Sequence, residues 1–213
     1  MPTIVISENS VRDYTGVTDT QIKQTAPTTN YGSDSAMEAV SWDVGDRVHA
    51  LLFIAAPSLG GAITVSSATL ELRQGGASTG TRNISLYKLL RGNVSATWNT
   101  HDGTNNWGTA GAAGAADYDS TALVTLAVDD TNGSKSWSGA SLATYVEAQI
   151  NAATPIRLML QRDPVAAQDF KFNQFDSSQI ADTQRPKLTI VYTLSSPPQF
   201  FQYAWPHQLH VRR

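Results

Sequence analysis

The sequence predicts an all-β protein, a sandwich of two antiparallel sheets with one short helix and an extended C-terminal arm. Three observations carry that prediction. Val48-His49-Ala50-Leu51-Leu52-Phe53-Ile54 is almost entirely apolar, as a strand covered on both faces would be. In Ser67-Ala68-Thr69-Leu70-Glu71-Leu72-Arg73, apolar Ala68, Leu70 and Leu72 alternate with polar Thr69, Glu71 and Arg73, the period of a half-buried strand. Short strand patterns separated by turn residues then recur along the chain, as in a two-sheet sandwich.

Composition narrows the possibilities. A chain of 213 residues fits one large all-β domain with a sizeable core. Charged residues make up only 15%, against about 25% in an ordinary globular protein. Ser, Thr, Asn, Gln and Gly take their place, a composition suited to extracellular or virion β-proteins. The net charge of −3 and the lack of a basic stripe argue against nucleic-acid binding. With no cysteine, disulfides, thiol catalysis and thiolate metal sites are all excluded. The first residues lack a basic segment followed by an apolar one, so no signal peptide is expected. No apolar run reaches the roughly 20 residues of a membrane helix.

Taken in order, Thr3-Ile4-Val5-Ile6 is a short first strand and Asp19 to Gln24 a second, followed by the turn-rich Ala26 to Gly32. Ala36 to Trp42 is the next strand, and Asp43-Val44-Gly45-Asp46 a hairpin turn into the central strand. Pro57 and Gly60-Gly61 punctuate the loop before Ser67 to Arg73, and Gln74 to Gly80 reads as a loop. Asn83 to Leu90 alternates, Ile84, Leu86 and Lys88 against Ser85, Tyr87 and Leu89. Val94 to Trp98 is a shorter strand, and residues 99–120 form a loop of a length that usually serves function. Leu123 to Val128 is a strand and Asp129 to Gly133 a turn. Leu142, Tyr145, Val146 and Ile150 then share a helix face, with Ser141 as candidate N-cap and Pro155 beyond the end. Ile156 to Gln161, the Phe170–Gln174 stretch and Leu188 to Tyr192 complete the strands. The predicted domain is 1–194. Residues 195–213, with Pro197, Pro198 and Pro206, form an arm, because consecutive prolines do not continue a central strand. Its Phe200, Phe201, Tyr203 and Trp205 are candidate partner contacts, either on another chain or on this domain.

Several pieces together resemble the DNRLRE family, also described as disaggregatase-related, and allied carbohydrate-binding modules. They are Asp19-Thr20-Gln21-Ile22, Ala26-Pro27-Thr28-Thr29-Asn30-Tyr31-Gly32, Arg47 with Leu51-Leu52-Phe53, Ala62-Ile63-Thr64 and Ser67 to Leu72. Ile84, Leu86-Tyr87-Lys88-Leu89, Thr97-Trp98-Asn99, Trp107-Gly108-Thr109 and Arg185-Pro186-Lys187-Leu188 continue the series, which runs from about residue 19 to 193. The resemblance implies a jelly-roll sandwich and a non-catalytic module. Such modules sit on secreted polysaccharide-active or cell-surface proteins and sometimes on phage particles.

On this reading, the candidate binding loop runs from Trp98 to Trp107. Aromatic faces stack on sugar C–H faces, and amides and carboxylates bond hydroxyls; Trp98, Asn99, Asp102, Asn105 and Trp107 are the candidate contacts. The alternative is that the two tryptophans are anchors packed beneath the loop, the role that the family resemblance favours. Asn30 and Gly32 suit a turn, Asn30 by its side chain and Gly32 by a positive φ. No cofactor is required. Calcium takes oxygen ligands, for which Asp19, Asp129 and Asp130, with Asp43 and Asp46, are candidates; solvated turn carboxylates are the alternative. His207 and His210 lack a local third ligand for a transition metal. No hydrolase elbow, zinc helix or phosphate loop occurs, and no pair of carboxylates is set for glycosidase chemistry.

Two functions follow. One is a non-enzymatic structural accessory protein of a phage virion, a capsid decoration, cement or tail-associated subunit. Its partners would be other virion proteins and itself, as a homo-oligomer and most simply a trimer. The other is a polysaccharide-binding module of an extracellular or cell-surface system.

Overall fold

The computed structural model describes residues 2–6, 16–41, 46–162, 171–178 and 184–195. Among these described residues, eleven strands and one helix follow in order: β1 (Thr3–Ile6), β2 (Val17–Lys23), β3 (Ala36–Ser41), β4 (Val48–Ile54), β5 (Ile63–Ala77), β6 (Arg82–Leu89), β7 (Tyr118–Val128), β8 (Gly133–Ser138), α1 (Ala140–Asn151), β9 (Ile156–Arg162), β10 (Lys171–Asp176) and β11 (Lys187–Leu194). All pairings are antiparallel, and they form a two-sheet sandwich.

The first sheet runs β2-β4-β9-β6-β7. In the second, β5 carries β8 along one edge and β11, then β10, along the other. β1 continues beyond β11 and β3 beyond β10. A single Val40↔Val48 pairing joins the sheets at one corner.

The main core fills the space between the sheets. Leu52 and Ile54 of β4, Ile84 and Leu86 of β6, and Leu158 and Leu160 of β9 meet Leu70 and Leu72 of β5, Trp137 of β8, Phe175 of β10 and Ile190 of β11. Trp137 packs edge-on against Phe175, ring centroids 5.7 Å apart, and its Nε1 donates to the Ile84 carbonyl at 3.0 Å. That bond satisfies a buried donor and ties β8 to the opposite sheet.

The helix lies against β5, and its Leu142, Ala143, Tyr145, Val146 and Ile150 enter the core. It begins two residues earlier than Ser141 suggests: Gly139 is the N-cap, and its carbonyl accepts from Ala143 N at 3.1 Å. Two helix side chains complete the β5 edge where β8 does not reach. Glu147 accepts from Val65 N at 2.8 Å, while Asn151 accepts from Ile63 N at 2.8 Å and donates to Ile63 O at 2.9 Å. Among the described residues no helix is long and apolar enough to cross a membrane.

Other boundaries differ from the sequence reading for definable reasons. β5 continues through Gly75-Gly76, because Gln74, Gly76 and Ala77 pair with β10, with Gly75 at a register shift between them, rather than being released as a loop. β8 occupies a stretch read as turn and helix approach; only Trp137 in it is buried. Residues 94–98 form turns, not a strand, since Ala96, Thr97 and Trp98 are drawn into the loop described below. The Asp43–Asp46 turn is described only at Asp46, and the arm only at Ser195, whose N donates to Ala62 O at 2.8 Å.

Candidate functional site

The outward face of the first sheet is covered as well. Ile22, Leu51, Phe53, Leu89 and Met159 form a second core with Ala96, Trp98, Trp107 and Ala112 of the loop spanning residues 90–117. β4 is therefore buried at all seven positions: its even residues face the sandwich, and its odd ones face this loop. The loop holds only an isolated Thr100–Asn106 bridge; turn bonds such as Thr97 N to Thr100 O and Gly111 N to Trp98 O satisfy part of its backbone, and side chains satisfy much of the rest.

Asp117 makes three of those side-chain bonds. Its carboxylate is fully buried and accepts from Gly108 N at 2.8 Å, Thr109 N at 2.9 Å, Gly114 N at 2.9 Å, Arg91 Nε at 2.7 Å and Arg91 Nη2. Burial alone would raise its pKa, but the backbone and Arg91 bonds outweigh it and hold the carboxyl below the usual range. Gly108 and Gly114 permit the approach: a Cβ would stand 2.8 Å from Arg91 Nη2 and 2.7 Å from Asp117 Oδ2, respectively.

Asn30 pins the loop from the other side, donating to the carbonyls of Val94 and Ala96 at 2.7 and 3.0 Å. Gly32 lies so close beneath that a Cβ would meet Val94 O at 2.8 Å. The Asn30-Tyr31-Gly32 stretch is a clamp, though the φ of Gly32 is not positive. Gly111, at φ 80°, passes under the Trp98 ring, where a Cβ would fall 2.5 Å from Cζ2. Its carbonyl takes a 3.0 Å bond from His49 Nδ1. Burial favours the neutral imidazole and lowers its pKa to about 4, against the opposing pull of the Gly111 bond.

The predicted binding residues fall in this loop, but its two tryptophans serve as anchors. Trp98 is 8% exposed and Trp107 5%. Trp107 Nε1 donates to Thr97 O at 2.9 Å, and the ring meets His101 edge-on. Asp102 accepts from Thr104 N, Asn105 N and Asn105 Nδ2 at 2.6–2.9 Å. Those bonds, the Asn105 side chain first, lower its pKa to about 2. Asn99 is exposed and borders a depression of about 290 Å³ with Asn106, Trp107 and Ala110.

Of the candidate calcium carboxylates, Asp43 lies outside the described residues, and Asp19 is not brought together with Asp129 and Asp130. Asp19 on β2 and Asp129 and Asp130 beyond β7 lie at opposite edges of the first sheet, four strand spacings or about 19 Å apart. Asp19 accepts from Ser178 N at 2.6 Å. Asp129 bonds Lys135 and Thr131, which lower its pKa to about 2, and Asp130 accepts from Gly80 N at 2.9 Å. Among the described residues no group of three or more His, Asp or Glu is placed to hold a metal ion. Phe200, Phe201, Tyr203 and Trp205 of the arm lie outside the described residues.

Open surface remains at the margin of the loop. A cleft of about 470 Å³ separates Ala113 and Ala115 from Lys88, Leu90, Tyr118, Asp119 and Ser120. A second, of about 490 Å³, runs from Lys88 and Asp119 to Ser141, Thr144 and Gln149 of α1. Lys88 and Asp119 form a half-exposed ion pair at 3.4 Å between them. The bonds from Thr121 N, then from Lys88, lower the Asp119 pKa.

Arg91, Asp117 and His49 were not singled out by the sequence. The one available signal was the triplet Gly108, Gly111 and Gly114, spaced by three, which marks close approaches rather than flexibility. No curated protein sequence matches the chain. Among solved structures, it is similar to the K3 cleaved adhesin domain of Lys-gingipain (Kgp) from Porphyromonas gingivalis w83. That match covers 71% of this chain and 69% of the other, with 14% identity and a TM-score of 0.32. The profile of carbohydrate-binding module family 96 matches residues 11–192, which takes in β2 to β10, most of β11, the helix and the anchored loop, and the chain belongs to that family.

Proposed function

We propose that this chain is a non-catalytic polysaccharide-binding module acting outside the cell or at its surface. The observation that carries the reading is the family match across the sandwich as a whole. The DNRLRE likeness drawn from the sequence points the same way. Binding then belongs to the folded domain rather than to an appended segment, and no catalytic group is required of it.

Affinity electrophoresis of the full chain tests this, in gels holding neutral or acidic polysaccharides, with and without calcium. Retardation in at least one gel is the expected result. Migration unchanged in all of them would overturn the reading. Loss of retardation on chelation would make calcium part of the site.

A virion setting is a second reading, favoured by the proline- and aromatic-rich sequence after Ser195. There the same module would act as a decoration, cement or tail-associated subunit, assembled as a homo-oligomer through that arm. Size-exclusion chromatography with light scattering tests the assembly; a monomer at high concentration with the arm intact would remove it.

A further inference from the structure

Resting on the polysaccharide reading, we infer that the glycan is bound not on the tryptophan loop but in the groove at its margin. Lys88 and Asp119 would bind adjacent sugar hydroxyls, and Leu90 and Tyr118 would supply the apolar floor.

The argument begins with what each surface has left to offer. Trp98 and Trp107 are committed to the second core, and Asp102 is committed to its own turn. A sugar needs an apolar surface for its C–H face and polar groups at its rim. The groove keeps both. Leu90 is 41% exposed, an unusual state for a large apolar residue in this chain. Tyr118 is half-buried, and its ring is fixed by edge contact with Tyr87, centroids 5.4 Å apart at 89°. A fixed ring loses little freedom on binding.

Lys88 is donor only and Asp119 acceptor only. Asp119 Oδ1 accepts from Thr121 N at 3.0 Å, and its Oδ2, 3.4 Å from Lys88 Nζ, is the oxygen that pairs with the lysine to present complementary partners to neighbouring hydroxyls. An ion pair this exposed binds its own members weakly, so a ligand displaces little. The pair is also net neutral, which suits hydroxyls rather than a ligand charge. The two clefts share this pair, and together they run from the loop to α1. That shape fits a linear chain of several sugar units crossing β7, better than it fits a single sugar.

The polysaccharide that retards the parent chain serves as the probe. In titration calorimetry, Lys88→Met and Asp119→Asn are each expected to weaken binding about tenfold, the effect of one lost hydrogen bond to a charged group. Thr144→Gln, an exposed position on the helix wall, should weaken it by obstruction. Asn99→Ala and Asn105→Ala should bind as the parent does. Affinity should change little between low and moderate salt, because no net charge is matched. All five substitutions lie on the surface, and thermal melts confirm the fold of each. If the parent binds but the groove variants bind equally well, or only the loop variants fail, the inference is overturned while the function stands. Binding that collapses with added salt overturns the hydroxyl assignment. A parent that binds no polysaccharide overturns the function itself.

Discussion

Replacing Asp117 by Ala tests the central claim about the loop. The buried carboxylate accepts three backbone N–H groups and both near nitrogens of Arg91. Arg91 is one-third exposed and turns to water once released. The amides of Gly108, Thr109 and Gly114 lose their acceptor within the folded loop. At about 1 kcal/mol or more for each stranded donor, plus the broken charge pair, the expected loss is roughly 3–5 kcal/mol. For a chain of this size that lowers Tm by roughly 6–20 °C. Asp117→Asn is nearly isosteric but turns an NH₂ toward donors, so it should lose a large part of the same amount. Urea denaturation followed by tryptophan fluorescence measures both, with Trp98 and Trp107 in the affected core. The pH dependence has a definite sign. The folded pKa is lowered, so the carboxylate stabilises fully above its unfolded value of about 3.9 and loses that contribution as pH falls through the folded value. Asp117→Asn should flatten the acid limb of the stability curve. A loss below about 1 kcal/mol for Asp117→Ala would refute the claim that this residue organises the loop.

Three further perturbations act on the same region. Gly111→Ala places a Cβ 2.5 Å from Trp98 at a φ of 80°, and strain with overpacking should cost about 2–4 kcal/mol in a urea midpoint experiment. Trp107→Ala should lose about 3–5 kcal/mol by thermal melt, the cost of removing a large ring that is 5% exposed and packed in the second core. His49 is neutral when folded, with its pKa near 4; stability should therefore fall as pH drops from 6.5 toward 4, by about 2 kcal/mol at pH 5. His49→Gln should remove that slope, while a parent equally stable at pH 5 and pH 7 would contradict the buried neutral ring.

Where side-chain period and burial coincide, the fold could be read in advance. Leu70 and Leu72 alternate with Glu71 and Arg73 because one face of β5 meets the core and the other meets water. The apolar run of β4 correctly implied cover on two faces, yet nothing in it shows that the second cover is an irregular loop. β8 escaped because a single large residue, Trp137, does the work of a whole apolar face. Asp117 escaped for a different reason. Its partners stand twenty-six, nine, eight and three residues earlier, and no periodicity links them. The Trp98–Trp107 segment was legible as a special loop, and anchoring was one of the two roles open to its rings. The family resemblance favoured anchors, but the residues alone could not choose, because a tryptophan suits a packed core and a sugar platform by the same large apolar face.

The second core also limits where binding can occur. For the loop to rearrange and present Trp98 or Trp107 to a ligand, it would have to open the Asp117 cluster, release the Asn30 clamp and expose Leu51, Phe53 and Met159 to water. A weak contact with a few sugar units does not repay that loss. The loop is better understood as a fixed wall, set by the same bonds that make it appear functional. At its margin Leu89 is buried whereas the adjoining Leu90 is exposed, and Tyr118 marks the step between them. The main-chain bond from Leu90 N to Asp117 O, 2.7 Å, fixes that step to the loop's organising residue. Rigidity at Asp117 is thus passed to Leu90, and if the glycan lies in the proposed groove, loosening the loop should weaken binding there even though Asp117 itself is buried and does not line the groove.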